Sequence, residues 1–546
     1  MAMAATAGLW AEVPVRLDWA TVAAQCALAG EQARAFLVVP AVRLLVLLSL
    51  AMTVMILLEK LFVAAVCYAA KALGHRPERR YKWGPIAASA CKTGGDDEED
   101  GIVGVGSGSG SAAFPVVLVQ IPMYNEREVY KVPIGAACAL EWPSDRMVIQ
   151  VLDDSTDPVV KDLVKIECQR WKSKGVNIRY EVRQNRKGYK AGALKEGLMR
   201  DYVRECEFIA MFDADFQPES DFLLRTVPFL VHNPDIALVQ TRWKFVNSDE
   251  CLLTRFQEMS LDYHFKFEQE AGSIVYSFFG FNGTAGVWRI SAINDAGGWK
   301  ERMTVEDMDL AVCTALLGLK FVWSCGPANL FKKMLVEILQ NKKVSFWSKL
   351  HLLYDFFFVG KITAHIVTFI YYCFAIPVSV FFPEIQIPLR GVVYVPTVIT
   401  LCKALGSPSS FHLVILWVLF DNVMSLHRIK ATITGLLDAR RGNEWVVTEK
   451  LGDTNKTEPA MEGLNDVQVI DVELSTPLVP KLEKRRTRLW DKYNCSEIFV
   501  GTCIIICGCY DVLYANKGYY IYLFIQGLAF LVIGFEYIGT RPPGAE

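Results

Sequence analysis

Long apolar runs lie near both ends of this chain, and the block between them is more polar. Near the N-terminus, the residues from Leu44 to Leu58 carry no charge, and a second apolar run follows Glu59 and Lys60. A membrane-spanning helix needs about 20 residues, so we predict one over residues 44–70, behind an N-terminal tail of residues 1–43. The run starts too late for a cleaved signal peptide, and no basic region precedes it.

The second half of the chain contains four or five further apolar segments. Ile362–Pro383 holds 22 residues without a Lys, Arg, Asp or Glu, and Gly518–Phe535 is uncharged with tyrosines at one end, as at a membrane interface. Shorter apolar runs end at Lys403, Asp421 and Asp511. We predict five crossings, with six as the alternative. The predicted divisions are membrane and interface helices over 347–426, a polar loop over 427–496, two transmembrane helices over 497–538 and a tail over 539–546.

Composition excludes two classes of protein. Hydrophobic residues make up 52% of the chain and charged residues 21%, which is far from the composition of an intrinsically disordered protein. The net charge of −2 gives no basic excess, so we predict no nucleic-acid partner. The 15 cysteines are scattered, and we interpret them as small buried side chains, with neither a zinc site nor a disulfide framework.

The polar block, residues 71–346, is predicted to be an α/β domain. It contains a linker over residues 96–113, where an acidic run precedes glycine and serine residues. Short apolar runs rich in β-branched residues predict strands, and segments with helical apolar spacing lie between them. The predicted strands span 116–122, 147–154, 177–182 and 208–215. Alternation of strands and helices indicates a parallel sheet, whose ligands bind beyond the carboxyl ends of the strands.

Acidic residues stand at the predicted strand ends and in one later segment. They are Asp153-Asp154, Asp213 with Asp215, and Glu306-Asp307. Carboxylate oxygens suit Mg²⁺ or Mn²⁺, which also bind substrate phosphates. A single D-x-D triplet is weak evidence, because the chain has a second one at 307–309. Its place after an apolar strand favours a metal site formed by Asp213 and Asp215.

A helix start with basic residues and glycines lies over 186–194 and includes Lys190. A helix N-terminus of this kind favours a phosphate group. The alternative is an exposed cationic helix start without a ligand. Together with the acidic strand ends, this segment indicates a metal-dependent nucleotide site, in which Asp307 can act as a general base on an acceptor hydroxyl.

At this point the motifs resemble a known family, the processive glycosyltransferases of family 2. The chain most resembles the plant cellulose-synthase-like A group, the mannan and glucomannan synthases. The matching segments are VLVQIPMYNEREVY, VIQVLDDSTD, KAGALKEG, FDADFQPE, VQTRWKFVN, FFGFNGTAGVWRI, TVEDMDLA, WSCGPANLFKKM and WVLFDNVMSLHRIKATI. The resemblance implies a GT-A (Rossmann-like) α/β glycosyltransferase domain, residues 71–346, inserted in a multi-pass α-helical membrane protein.

The resemblance also implies roles for individual residues. Asp154 contacts the nucleotide, with Asp153 as the neighbouring alternative. Asp213 and Asp215 hold the divalent metal and the diphosphate of the donor, and Asp307 is the catalytic base. The implied donor is GDP-mannose, with GDP-glucose as a second donor. The implied product is a β-1,4-linked chain, made with inversion at the Golgi membrane, and the other expected partners are membrane lipid, a protein subunit or a second copy of this chain.

One motif of the family is incomplete. The family carries Q-x-x-R-W at the acceptor site, but here Trp323 follows Leu319-Lys320-Phe321-Val322, without the Gln and the Arg. The spacing from Asp307 to Trp323 is also shorter than in the family. We therefore predict that a segment is missing between Val322 and Trp323.

Four alternatives remain open at this level. The first is an inactive relative that acts as a partner subunit or has no function, motivated by the missing segment. The second is a transporter, the third a glucan backbone synthase of the sister plant group, and the fourth a non-processive transferase of sugars to lipid phosphate. Basic residues flanking the first apolar run place the catalytic block in the cytosol. A glycan at Asn455, which lies in one of three sequons, would instead place the block in the lumen.

Overall fold

The structure is a computed structural model, and it describes 13 segments of the chain. These are residues 19–74, 80–86, 114–183, 185–276, 280–301, 306–315, 320–322, 346–350, 353–354, 358–359, 363–388, 390–437 and 493–535. The predicted linker, most of the predicted polar loop, Asn455 and Trp323 lie outside the described residues.

A seven-stranded sheet forms the centre of the polar block. Its strands are β1 Val117–Met123, β2 Met147–Asp153, β3 Ile178–Val182, β4 Phe208–Met211, β5 Ile236–Gln240, β6 Gly286–Arg289 and β7 Lys320–Val322. Their order across the sheet is β3-β2-β1-β4-β6-β5-β7. Strands β1 to β4 pair in parallel, as the sequence predicts, and β7 pairs in parallel with β5. Strand β6 runs antiparallel to both β4 and β5, which the sequence analysis does not predict.

Helices connect the strands and extend the chain at both ends. They are α1 Trp19–Ala33, α2 Val39–Ala72, α3 Lys131–Cys138, α4 Pro158–Ser173, α5 Tyr189–Leu198, α6 Phe222–His232, α7 Leu252–Tyr263, α8 Glu270–Tyr276, α9 Ile290–Asp295, α10 Glu306–Ala315, α11 Phe346–Leu350, α12 Ala364–Val367, α13 Ile376–Ser379, α14 Val395–Ala404, α15 Val414–Leu437, α16 Cys495–Tyr510 and α17 Tyr520–Gly534. Turns of π-helix, among them His264–Gln269 between α7 and α8, join some of these helices into longer ones.

The sheet is buried on both faces. On one face, side chains such as Leu118 and Ile209 pack against α5, α9 and α10. On the other face, Val119 and Ala210 pack with α3, α4 and α6. Burial on both sides explains why β1, β2 and β4 are largely continuous apolar runs in the sequence and do not alternate between apolar and polar residues.

A buried pair of glutamines fixes α5 to the sheet. The Nε2 of Gln120 on β1 donates to Oε1 of Gln150 on β2 at 2.7 Å, and Gln150 Nε2 donates to the carbonyl of Gly197 at 3.1 Å. A Cβ on Gly197 would lie 2.6 Å from both glutamine side chains, which leaves room only for glycine there. These bonds set the position of α5, and thus of Lys190 at its start.

Apolar helices flank the domain, and the protein is a membrane protein. Within the described residues, three helices are long and apolar enough to span a bilayer: Ala20–Ala72, Pro408–Ala431 and Cys495–Ala515. Shorter apolar helices over Ala364–Ser379, Val395–Ala404 and Tyr520–Gly534 coincide with predicted segments. Helix α1 lies within residues 1–43, and α15 continues past residue 427.

The first membrane helix contacts the catalytic block directly. Lys60 on α2 has a side chain that is only 8% exposed, and its Nζ lies 2.7 Å from Oε1 of Glu268 in the π-helical turn after α7. Nearby, Cys67 Sγ lies 3.3 Å from the carbonyl oxygen of Phe267. The apolar end segment and the α/β domain therefore share one packed interface.

Candidate active site

The carboxyl ends of β1, β2 and β4 bring three predicted segments to one edge of the sheet. The register pairs Met123 with Asp153 and Gln120 with both Gln150 and Met211. The residues that follow these strands, including Asp154 and Asp213, therefore lie at the same edge. This is where a parallel sheet binds its ligands.

The two acids after β2 differ in their surroundings. Asp153 is buried, accepts a hydrogen bond from the Tyr180 hydroxyl at 2.7 Å and caps the following turn through the Ser155 amide. Asp154 forms a two-point ion pair with Arg183, whose Nε lies 2.7 Å from Oδ1. The Asp153 carboxylate is thus bonded to Tyr180 and to the following turn, whereas Asp154 is connected through Arg183 to the segment that leads to α5.

Arg183 also holds the loop that precedes α5. Its terminal nitrogens donate to the carbonyls of Lys187 and Tyr189, each at 3.0 Å. Gly188 and Tyr189 adopt positive φ values of 73° and 47°, a conformation that is costly for tyrosine. Burial lowers the pKa of Arg183, but Asp154 and Glu196 outweigh this effect and raise it above the ordinary value. Sequence reasoning missed Arg183, although its position directly after β3 was a usable signal.

Lys190 joins two of the predicted acidic segments. Its Nζ lies 2.6 Å from Asp213 Oδ1, 3.0 Å from the carbonyl oxygen of Gly283 and 3.5 Å from Glu306 Oε1. A Cβ on Gly283 would lie 3.2 Å from both Lys190 Nζ and Asp307 Oδ2, so these two groups flank the same glycine. The structure therefore brings Lys190, Asp213 and Asp307 together.

The electrostatics of this cluster follow from burial and proximity. Burial raises the pKa of Asp307 to about 7, the Glu306 and Asp213 carboxylates add to the rise, and Lys190 opposes it. Burial also raises the pKa of Glu306, against the opposing effect of Lys190. Burial lowers the pKa of Lys190, but the surrounding carboxylates outweigh it and hold the pKa above the ordinary value. Asp307 is thus a carboxylate suited to take up a proton near neutral pH.

Asp215 lies with Asp213 at the wall of a large cavity. The cavity measures about 1150 Å³, and its lining includes both aspartates, Asn282, Thr284 and the segment 239–247. The hydroxyl of Thr284 accepts a hydrogen bond from the Asp213 amide at 3.0 Å. A pocket for a small molecule usually measures 300–1,000 Å³, so this cavity has room for more than a single sugar.

The donor atoms at Asp213 and Asp215 fit a hard divalent cation. Two carboxylates with a substrate diphosphate are a typical ligand set for Mg²⁺ or Mn²⁺. Among the described residues, no group of three or more His, Cys, Asp or Glu side chains is placed to hold a metal on its own. A metal at this site would therefore need oxygens from the substrate or water.

The fold and the site define a glycosyltransferase of the GT-A class. Residues 118–285 match the family described as Glycosyl transferase family 2. A rice protein (Oryza sativa subsp. japonica), probable glucomannan 4-beta-mannosyltransferase 11, is 74% identical over 561 positions that cover 98% of each chain. Glucomannan 4-beta-mannosyltransferase 9 of Arabidopsis thaliana is 53% identical over 543 positions, covering 95% of each chain. The chain belongs to the glucomannan 4-beta-mannosyltransferase family.

The other comparisons concern the fold and the length of the chain. The mannosyltransferase PcManGT from Pyrobaculum calidifontis, solved in complex with GDP-Man and Mn²⁺, aligns with 71% of this chain and 99% of its own, at 15% identity and a TM-score of 0.41. The rice alignment has 561 positions, 15 more than the 546 residues of this chain. At least that number of positions in the relative have no counterpart in this chain.

Proposed function

We propose that this enzyme transfers mannose from GDP-mannose to a growing β-1,4-linked mannan chain, and that GDP-glucose is a second donor. The names of the rice and Arabidopsis relatives support a mannosyl product over a plain glucan. The reaction is an inverting displacement, in which the acceptor oxygen bonds to the sugar C1 as the bond from C1 to the diphosphate oxygen breaks. GDP is the leaving group, and the acceptor proton goes to a base.

In this proposal Asp307 is the base, and the observation that carries the proposal is its position beside Lys190 and Asp213. Its pKa of about 7 suits proton uptake from a hydroxyl near neutral pH. Lys190 leaves the carboxylate of Asp213 and pairs with the diphosphate, where an ammonium group forms a strong charge-assisted bond. Asp213 and Asp215 hold Mg²⁺ or Mn²⁺, which when bound neutralises the charge that develops on the leaving diphosphate.

In this proposal the nucleoside lies near Asp154, which Arg183 holds at the ends of β2 and β3, and Asp154 contacts the nucleotide. The apolar helices and the family support a membrane protein, and we propose that it is a multi-pass protein of the plant Golgi membrane. The remaining partners are the growing mannan acceptor and membrane lipid.

A second candidate is an inactive member of the family that serves as a protein partner. The observation that favours it is the set of positions absent from this chain relative to the rice enzyme, together with the missing Gln and Arg before Trp323. Against it stands the intact cluster of Lys190, Asp213 and Asp307, since three charged groups brought together this closely are costly to keep without a use.

Microsomes that contain this chain, supplied with labelled GDP-mannose and Mg²⁺ or Mn²⁺, test the proposal. The measured quantity is label in polymer that an endo-β-mannanase digests, and Asp307→Asn provides the blank. We expect labelled polymer from the wild type and none from the variant. A membrane-inserted wild-type chain without product, but active after insertion of the rice relative's residues between Val322 and Trp323, would overturn the proposed activity of this chain and support the inactivity that the second candidate requires.

A further inference from the structure

The carboxylate of Asp262, near the end of α7, is shared by two different parts of the molecule. Arg242 donates to its Oδ1. Its Oδ2 lies 2.7 Å from Lys266 Nζ and accepts a hydrogen bond from the Ser407 hydroxyl at 2.8 Å. The Asp262 side chain is 13% exposed, so these bonds are largely sheltered from water.

The first of these parts is the wall of the active-site cavity. Arg242 belongs to the segment 241–247, which follows β5 and lines the same cavity as Asp213 and Asp215. Trp243 in the same segment packs edge-on against Phe265, with ring centroids 5.8 Å apart. This wall therefore rests on the long helix formed by α7 and the following π-helical turn, and it adds no strand of its own to the sheet.

The second part is a turn between two apolar helices of the membrane region. The turn follows α14 and includes Gly406 and Ser407, and Lys266 Nζ donates to the Gly406 carbonyl at 2.7 Å. A Cβ on Gly406 would lie only 2.7 Å from Cα of Tyr263, so the turn is pressed against α7 with no space for a side chain. Backbone contact of this kind transmits a displacement from one element to the next.

We propose that Asp262 is a positioning residue that couples the membrane turn at 406–407 to the cavity wall at 241–247. One carboxylate holds Arg242 from the wall, Lys266 from the helix and Ser407 from the turn. The wall is therefore held in place only while the turn packs against α7. Without the carboxylate, Arg242 and Lys266 face each other as like charges with no anion between them. The effect on sugar transfer rests on the function proposed above, whereas the coupling itself does not.

Trypsin provides a direct measure of the coupling, because Arg242 and Lys244 in the wall are cleavage sites. The full-length chain in lipid nanodiscs is digested briefly, and mass spectrometry gives the cleavage rate at these two bonds. We expect Asp262→Asn to raise the cleavage rate about tenfold, because a factor of this size corresponds to the loss of one hydrogen bond to a charged group. Asp249→Asn is the matched control. Among the contacts described, Asp249 pairs only with Arg255, at an exposed site, and it does not contact the turn.

The decisive variant lies on the membrane side. Gly406→Ala leaves Arg242 and Asp262 intact but pushes the turn from α7, and we expect it to raise cleavage in the wall about fivefold. If Asp262→Asn raises cleavage and Gly406→Ala does not, the coupling is refuted and the ion pair is local. If neither variant differs from Asp249→Asn, the positioning role of Asp262 is refuted as well.

Transfer kinetics complete the test. We expect Asp262→Asn to raise the KM for the sugar acceptor more than it lowers kcat, and Asp262→Glu to restore most of the loss, because it returns the charge. Equal loss in both Asp262 variants with an unchanged KM would overturn the positioning role in catalysis. A wild-type chain without transfer activity, but with the expected cleavage pattern, would instead count against the proposed function alone.

Discussion

Replacement of Asp307 by Asn is expected to abolish transfer and, at the same time, to stabilise the protein. In the folded chain the pKa of Asp307 is raised from 3.8 to about 7, so the folded protein binds this proton more tightly than the unfolded chain does. Each tenfold difference in proton affinity is worth about 1.4 kcal/mol. Ionising Asp307 in the folded protein therefore costs about 4 kcal/mol more than in the unfolded chain.

The sign of this effect gives the pH dependence. Stability of the wild type falls as pH rises from about 4 to about 7, since only the unfolded chain releases the proton over that interval. Above pH 7 the wild type bears the full free-energy cost of ionising Asp307 in the folded protein. The Asn variant does not, because asparagine does not ionise. We expect the variant to be more stable by about 4 kcal/mol at pH 8 and by about 2 kcal/mol at pH 5.

Thermal unfolding of the purified full-length chain, followed by tryptophan fluorescence in the presence of a chelator, measures this difference. For a domain of this size the gain in Tm is about 10 °C at pH 8 and about 5 °C at pH 5. Asp201→Asn is the control, because the Asp201 side chain is 90% exposed and a surface change of this kind has little effect on stability. A gain that is the same at both pH values, or a loss of stability in Asp307→Asn, would refute the electrostatic reasoning.

Three further predictions concern the same cluster. The kcat/KM for transfer should rise about tenfold per pH unit below pH 7 and level off above it, as Asp307 ionises; a flat profile from pH 5.5 to 8 would rule Asp307 out as the base. Lys190→Met should weaken GDP binding about tenfold or more, measured by titration calorimetry, while Lys195→Met should leave it near the wild-type value. Gly192→Ala should lower Tm by several degrees, because its Cβ would lie 2.0 Å from the Lys187 carbonyl oxygen; an unchanged Tm would contradict this packing.

The parallel half of the sheet could be predicted from the sequence because its signals are local. Strands β1, β2 and β4 are short runs of almost entirely buried residues, β3 is a partly exposed edge strand, and the length and composition of each segment suffice to identify it. The antiparallel β6 could not be predicted, since its partners β4 and β5 are chosen by packing over long sequence separations. The four residues of β6 carry no sequence signal that would predict this pairing.

The residues of the candidate site also divide into those that a local motif predicts and those that it does not. Asp213, Lys190 and Asp307 were each predicted from a local motif, and the structure brings them together because all three motifs lie at one sheet edge. The partner of Asp154 could not be read from its own motif, because the Arg183 side chain arrives from another strand. The pKa values likewise depend on burial and neighbours, which a motif does not record.

The ion pair between Lys60 and Glu268 has a consequence for biosynthesis. The two residues are 208 positions apart, so the ribosome makes the lysine of the first membrane helix about 10 to 40 s before its carboxylate partner. During that interval the cation on the first membrane helix has the adjacent Glu59 beside it but not yet Glu268. The packing of Lys60 against the catalytic block therefore forms only after residue 268, inside that block, has been translated.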